Sequence, residues 1–204
     1  MKIFMKFFIV VAMLAIATES YAQTFGVRAG LNLSNMVMKD DDDTYSDDYE
    51  MKPGFHLGPT AEFPINDMLT FETGLIISAK GFKYSENSYD MKLNLYYLDI
   101  PLTAKATYDA GFGNIYGLLG PYLGIGLSGK SVYGDEDEPV DWGSDSDDDD
   151  LKRPDFGLTV GAGVEINSIL VGISYNYGLA NISPDSDGGF KINNRVIGIS
   201  VGYK

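Results

Sequence analysis

The sequence predicts an all-β protein: an eight-stranded antiparallel up-and-down transmembrane β-barrel preceded by a cleavable signal peptide. Three observations lead there. Apolar and polar residues alternate with period two through most of the chain, the pattern of strands with one apolar face. After residue 22 no apolar run approaches the ~20 residues that a membrane-spanning helix needs. A crossing by strands requires a closed barrel, the only strand arrangement that leaves no backbone unpaired in lipid.

The amino terminus reads as an address. Lys2 and Lys6 form a positive region, Phe7 to Ala17 is uninterrupted apolar sequence, and Ser20-Tyr21-Ala22 places small residues at −3 and −1 of a cleavage site. Residues 1–22 are therefore expected to be removed, leaving a single barrel domain, 23–204, that begins at Gln23.

The strands follow in order. Phe25, Val27, Ala29, Leu31 and Leu33 alternate with Gly26, Arg28, Gly30 and Asn32. Phe55, Leu57, Pro59, Ala61 and Phe63 alternate with His56, Gly58, Thr60 and Glu62. Leu69, Phe71, Leu75, Ile77 and Ala79 share a face opposite Thr70, Glu72, Gly74, Ser78 and Lys80, with Ile76 as an exception. Leu98, Ile100, Leu102 and Ala104 oppose Asp99, Thr103 and Lys105; Leu93 and Leu95 are out of phase with them and predict a bulge or loop edge. Ile115, Leu119, Pro121, Leu123, Ile125 and Leu127 form a fifth stripe. Phe156 to Ile166 alternates with Asp155, Gly157, Thr159, Gly161, Gly163 and Glu165. Ile169 to Tyr177 and Ile197 to Tyr203 complete eight strands, each expected to have the ~9–11 residues of a tilted membrane strand. Connections alternate in length: Ser34–Lys52, Gly81–Met91, Gly129–Pro154 and Ala180–Lys191 are long, and those between are short. An outer-membrane barrel with both termini in the periplasm has this order.

A soluble, lipocalin-like ligand-binding barrel would alternate too, with its apolar face inward. The polar face here is mostly Gly, Ser and Thr, which suits a narrow, filled interior. Charges recur on it singly, as they should if each needs a partner in a closed lumen. Phe25, Phe55, Phe63, Phe71, Tyr96, Phe156, Tyr175, Tyr177 and Tyr203 lie near strand ends, where interfacial girdles form. The inverted, lipid-facing arrangement is the better fit. Outer-membrane lipids and the barrel-assembly machinery are then the expected partners.

Several segments carry a family likeness. Phe25-Gly26-Val27-Arg28-Ala29-Gly30-Leu31-Asn32-Leu33-Ser34-Asn35, Tyr97-Leu98-Asp99-Ile100-Pro101-Leu102, Gly120-Pro121-Tyr122, Tyr175-Asn176-Tyr177-Gly178-Leu179-Ala180-Asn181-Ile182, Asn194-Arg195 and Gly202-Tyr203-Lys204 occur in an order that resembles the PorT-type outer-membrane β-barrel family, whose fold is similar to OmpX/OmpA-like eight-stranded barrels. The resemblance implies a barrel and an outer-membrane address, not one shared activity.

The chain has a net charge of −14 and no cysteine. Disulfides, thiolate metal sites, cysteine nucleophiles and a lipid-modified cysteine are excluded. An acidic chain is a poor partner for nucleic acid. Of 29 acidic residues, seven lie between Met38 and Glu50 and ten between Asp135 and Asp150. These runs read as solvated loops, available to an unidentified protein partner. Asp40, Asp41, Asp42, Asp43, Asp147, Asp148, Asp149, Asp150, Asp185 and Asp187 are the candidate ligands for weakly held Ca²⁺ or Mg²⁺, though none fits the twelve-residue calcium loop.

No catalytic motif is present: no HExxH, GxSxG, Walker loop or helix-opening GxGxxG. The single histidine, His56, has no identifiable catalytic partner. No cofactor is expected. Arg28, Glu62, Glu72, Lys80, Asp99, Lys105 and Glu165 are expected to form a lumen charge network that acts as a plug. The leading expectation is a non-enzymatic barrel with a structural role or an interaction role through its acidic loops; a small pore or a component of a transport or secretion system is the alternative.

Overall fold

Alternation in sequence becomes alternation across a sheet wall, because successive strand side chains point to opposite faces. The computed structural model describes residues 23–41, 43–44, 50–86, 89–134, 136–185 and 187–204. The expected signal peptide, residues 1–22, and Asp42 lie outside them. The described strands are β1 (Thr24–Lys39), β2 (Lys52–Pro64), β3 (Leu69–Gly74), β4 (Ile76–Glu86), β5 (Tyr89–Asp109), β6 (Asn114–Tyr133), β7 (Glu136–Pro139), β8 (Pro154–Ile166), β9 (Ile169–Gly178) and β10 (Lys191–Tyr203). Neighbours are antiparallel, and β1 pairs with both β2 and β10, so the sheet closes on itself. β3 and β4 are one wall strand interrupted at Leu75, and β7 is a short addition to β6 outside the ring. Eight strands make the wall. Among the described residues no helix is long and apolar enough to cross a membrane.

Two prolines account for the interruption. Leu75 donates to the Pro59 carbonyl on β2, while on β5 the pairing with β3 ends at Leu102 and that with β4 resumes at Asp99, across Pro101. Proline has no N–H to give to a ladder. The inward phase survives the break: Glu72, Ile76, Ser78 and Lys80 are all buried.

The outside is apolar. Phe25, Leu31, Leu119, Val160, Ile173 and Val201 are exposed, Leu31 by 65% and Leu119 by 60%. A continuous apolar belt of this kind marks a surface made for an apolar environment. A lipocalin-like barrel turns these faces inward, so that arrangement is excluded. The inside is polar through most of its depth, with Asn32, His56, Glu62, Glu72, Lys105 and Thr159 buried.

Several expected boundaries move. Gly81–Met91, read as a long loop, is instead strand: β4 continues to Glu86, β5 starts at Tyr89, and they pair from Lys80↔Leu95 to Glu86↔Tyr89. β5 has 21 residues and β6 has 20, well beyond the expected length. The excess stands beyond the apolar belt at the end that carries the long connections. Leu93 and Leu95 are in phase with the inward Tyr97 and Asp99, and pack into an apolar cluster with Met36, Phe82, Val140, Leu151, Ala180, Ile182 and Ile192. The bulge lies on the facing strand: Tyr96 pairs with Ser128 and Tyr97 with Gly126, leaving Leu127 extra on β6. One extra residue flips the phase, which turns Gly129 toward Leu95 and Val140.

Candidate functional site

The polar side chains of alternating strands can meet only in the lumen, and there the structure brings together all seven residues of the expected charge network. Near the end that carries the short turns, Lys105 Nζ donates to Glu62 at 2.7 Å and Glu165 at 3.3 Å; Lys204 Nζ reaches the same two carboxylates at 2.8 Å and 2.9 Å. Two ammonium groups thus face two carboxylates. Lys204 lies just past β10. Burial works against its charge, but hydrogen bonds and attraction from Glu62 and Glu165 outweigh burial and hold its pKa above the ordinary lysine value. Further in, Arg28 pairs with Glu72 at 2.8 Å. Toward the long-connection end, Lys80 bonds to Asp99 at 2.9 Å and Asp155 at 3.1 Å. Asp155 also accepts from the Tyr122 hydroxyl at 3.2 Å and from Asn194 Nδ2 at 3.0 Å.

Asp155 and Lys204 are members that the sequence reading left out. Both were within its reach. Asp155 begins the polar stripe of β8, and Lys204 continues the stripe of Gly198, Ser200 and Gly202 by one step. The aromatic members carry the same signal of face, since Tyr116 and Tyr122 lie on the polar stripe of β6 and Tyr97 is in phase with Asp99, but the cations they meet are set by the stagger between strands. Lys80 Nζ lies 4.4 Å from the Tyr97 ring centroid, and Lys105 Nζ lies 4.7 Å from that of Tyr116, within the range of cation–π attraction.

The glycines of the polar face make room for these groups. A Cβ at Gly163 would come within 2.5 Å of the Tyr116 hydroxyl, at Gly157 within 2.7 Å of Tyr122, and at Gly30 within 2.5 Å of the His56 ring. Small residues on one strand seat the large ones paired with them on the next.

His56 lies deep in this interior. Its Nδ1 is 2.7 Å from Asn32 Oδ1. The Asn32 amide nitrogen already donates to Phe55 O, Ser78 Oγ and Ala79 O, so its oxygen must be the acceptor and His56 carries its proton on Nδ1. Among the described residues the recorded hydrogen-bond partner of the ring is the Asn32 amide, where the relay of a hydrolase uses a carboxylate. A cavity of about 70 Å³ lies between the ion-pair sets, lined by Arg28, His56, Glu72, Asp99, Tyr116 and Asn176 among others. Arg28 and Glu72 face it as a pair.

The long connections cover the other mouth. Trp142 packs edge-on against Tyr97 with ring centroids 5.7 Å apart. Val140 and Leu151 enter the apolar cluster from one connection, Ala180 and Ile182 from another, and the two are tied by Lys152 N–H to Ile182 O at 2.8 Å. Hydrogen bonds tie down described residues of the acidic runs. Asp150 accepts from Asp141 N, Asp149 from Asp145 N, Asp40 from Asp43 N and Asp185 from Asp187 N. Asp41 N–H donates to Gly188 O, joining the first and last long connections. Asp147 and Asp148 are exposed. Among the described residues no three His, Cys, Asp or Glu side chains converge on a metal position; the candidate cation ligands lie spread over three connections.

Comparison with known proteins gives one family. The family described as outer membrane protein beta-barrel domain matches residues 21–183. Comparison with curated proteins found no match. Among solved structures, the chain is similar to the attachment invasion locus protein Ail of Yersinia pestis (19% identity, 89% of this chain and 98% of that chain, TM-score 0.35). It is similar to Neisserial surface protein A (18%, 90% and 99%, TM-score 0.48), and to the outer membrane protein OprG from Pseudomonas aeruginosa (18%, 88% and 94%, TM-score 0.45).

Proposed function

Since this chain belongs to the outer membrane protein beta-barrel domain family, and is accordingly an integral outer-membrane barrel, we propose that it works without enzymatic chemistry, as a closed barrel that presents a rigid acidic platform at the cell surface. The termini and short turns face the periplasm in this reading, and the long connections face outward. Within the family, the order of its strand motifs supports a place in the PorT-type group. The observation that carries the reading is the occupied lumen: three sets of ion pairs cross it beneath a cap of packed connections. An eight-stranded barrel has just enough interior for its side chains, and here Tyr97, Lys80 and Lys105 are almost fully buried in it. The cap gives Asp147, Asp148 and their neighbours a fixed base from which to attract divalent cations or a basic partner surface. Planar-bilayer recordings test the closed lumen. The folded protein is expected to pass no steady current, and a stable channel in the wild-type protein would move it to the transport reading.

A further inference from the structure

The outer wall changes character at one rung of the strands that close the ring. On β10 the outward residues run from Tyr203 through Val201, Ile199 and Ile197, and the next is Arg195. Arg195 stands opposite Asn35 on β1 and Tyr177 on β9, one outward step past Leu33, Ile197 and Tyr175. On these strands the apolar belt gives way there to polar side chains, at the end that carries the long connections.

Arg28, Lys80, Lys105 and Lys204 each meet a carboxylate. Arg195 meets a ring: its guanidinium carbon lies 5.6 Å from the Tyr177 centroid, its recorded partner among the described residues. Its Nε is covered and makes no hydrogen bond, so the stem lies against the wall and the two terminal nitrogens are what it offers outward. Further out along the same face, Lys191 and Lys39 stand directly opposite each other. Like charges so placed are destabilising by themselves, and a nearby anion relieves them. Beyond the belt, the outward positions of this seam are Asn35, Val37 and Lys39 on β1 and Arg195, Asn193 and Lys191 on β10. They hold three cations and no acid, on a chain whose net charge is −14.

We propose that Arg195, seated on Tyr177, binds the phosphate of an anionic membrane lipid in the leaflet at the long-connection end. A guanidinium presents a rigid fork of N–H donors that matches two phosphate oxygens at once. A tyrosine ring at the rim of the belt holds that fork at headgroup depth. The wall beneath decides the source of the phosphate. Ile197, Ile199 and Val201 run down β10 from Arg195, so a lipid held by its headgroup lays its chains along that stripe, whereas a free phosphate ion gains the hydrogen bonds alone. The site lies outside the barrel wall and is independent of whether the lumen conducts.

Phosphatidylglycerol is the probe, with zwitterionic phosphatidylcholine as its control. The folded barrel in detergent micelles is titrated with each, and the lipid it keeps on release from the micelle is counted by mass spectrometry. Wild type is expected to keep a phosphatidylglycerol at concentrations where phosphatidylcholine is lost. Arg195→Gln is expected to weaken that retention about tenfold, the scale of hydrogen bonds to a charged group. Arg195→Lys keeps the charge without the fork and is expected to fall between the two. Lys92→Gln removes an exposed cation from β5, on the far side of the ring, and is expected to change nothing. Should Arg195→Gln fail to fold, Arg195→Lys carries the test, and retention equal to wild type overturns the proposal. Equal retention of the two lipids by wild type overturns it, as does unchanged retention in Arg195→Gln. An equal loss in Lys92→Gln assigns the effect to net charge and overturns it. Displacement of the lipid by inorganic phosphate assigns the site to the free ion and overturns it too.

Discussion

Arg28 and Lys105 occupy the same lumen in different company. Glu72, 1% exposed, has Arg28 as its only ion-pair partner among the described residues, whereas Glu62 and Glu165 keep Lys204 if Lys105 is lost. Stranding one member of a buried pair costs about 3–5 kcal/mol. Arg28→Ala is expected to lose that much, and Lys105→Ala clearly less, because Lys204 inherits its partners. Urea midpoints in lipid vesicles read the order, and a larger loss for Lys105→Ala would show that Lys204 does not share the load. At this scale the sequence was legible wherever a residue's face decided its fate: period two sent Arg28, Glu62, Glu72, Lys80, Asp99, Lys105 and Glu165 inward without knowledge of their partners. Place along each strand also gave a rough depth, with Glu62, Glu72, Lys105 and Glu165 toward the short turns and Lys80 and Asp99 toward the other end. What neither records is the stagger between strands, which brings Asp155 onto Lys80 beside Asp99.

Among the elements, β8 has the cleanest alternation. Val160 sits midway along it, outward, between Leu119 on β6 and Tyr175 on β9. A lysine at that depth is expected to lower stability by about 2–4 kcal/mol and an aspartate by less, so Val160→Lys and Val160→Asp should both reduce folding yield into vesicles. Normal yields would mean that the lipid face has been misassigned. The strands were harder to read at the long-connection end. Phe82, Leu93 and Leu95 look like errors of phase only if the polar face must remain polar throughout. It does not, because beyond the ion-pair sets the interior is sealed by apolar residues. The connections that supply Val140, Trp142, Leu151 and Ile182 are too irregular to show a period, and their acidic neighbours hid these anchors in the sequence.

At the scale of the whole molecule, charge is layered: ion-pair sets inside, apolar belt outside, carboxylates at one end. Two substitutions of the acidic runs separate charge from architecture. Changing Asp40–Asp43 and Asp147–Asp150 to asparagine keeps an acceptor oxygen at the backbone positions that Asp40, Asp149 and Asp150 satisfy. Glycine removes it. The asparagine protein is expected to fold with wild-type yield and to lose binding of calcium or of a polylysine probe; the glycine protein is expected to fold with a loosened cap. Wild-type binding of such probes should fall steeply with salt, since exposed charges are screened beyond about 8 Å at physiological ionic strength. Binding that is insensitive to both salt and asparagine substitution would remove the acidic platform from consideration.

The seam between β1 and β10 sets an order of events. Val27 lies opposite Tyr203, and the register runs on to Lys39 opposite Lys191, so the first and last strands of the barrel become neighbours only when nearly the whole chain lies between them. Contacts of such long sequence separation must meet their loop-closure entropy before they return anything, and folds dominated by them are slow to form. No stable intermediate with both edges in lipid is available to this chain, because each open edge would carry unpaired backbone into hydrocarbon. β10 must therefore be present before the ring can shut, and the seam with β1 is the last pairing that the barrel can make.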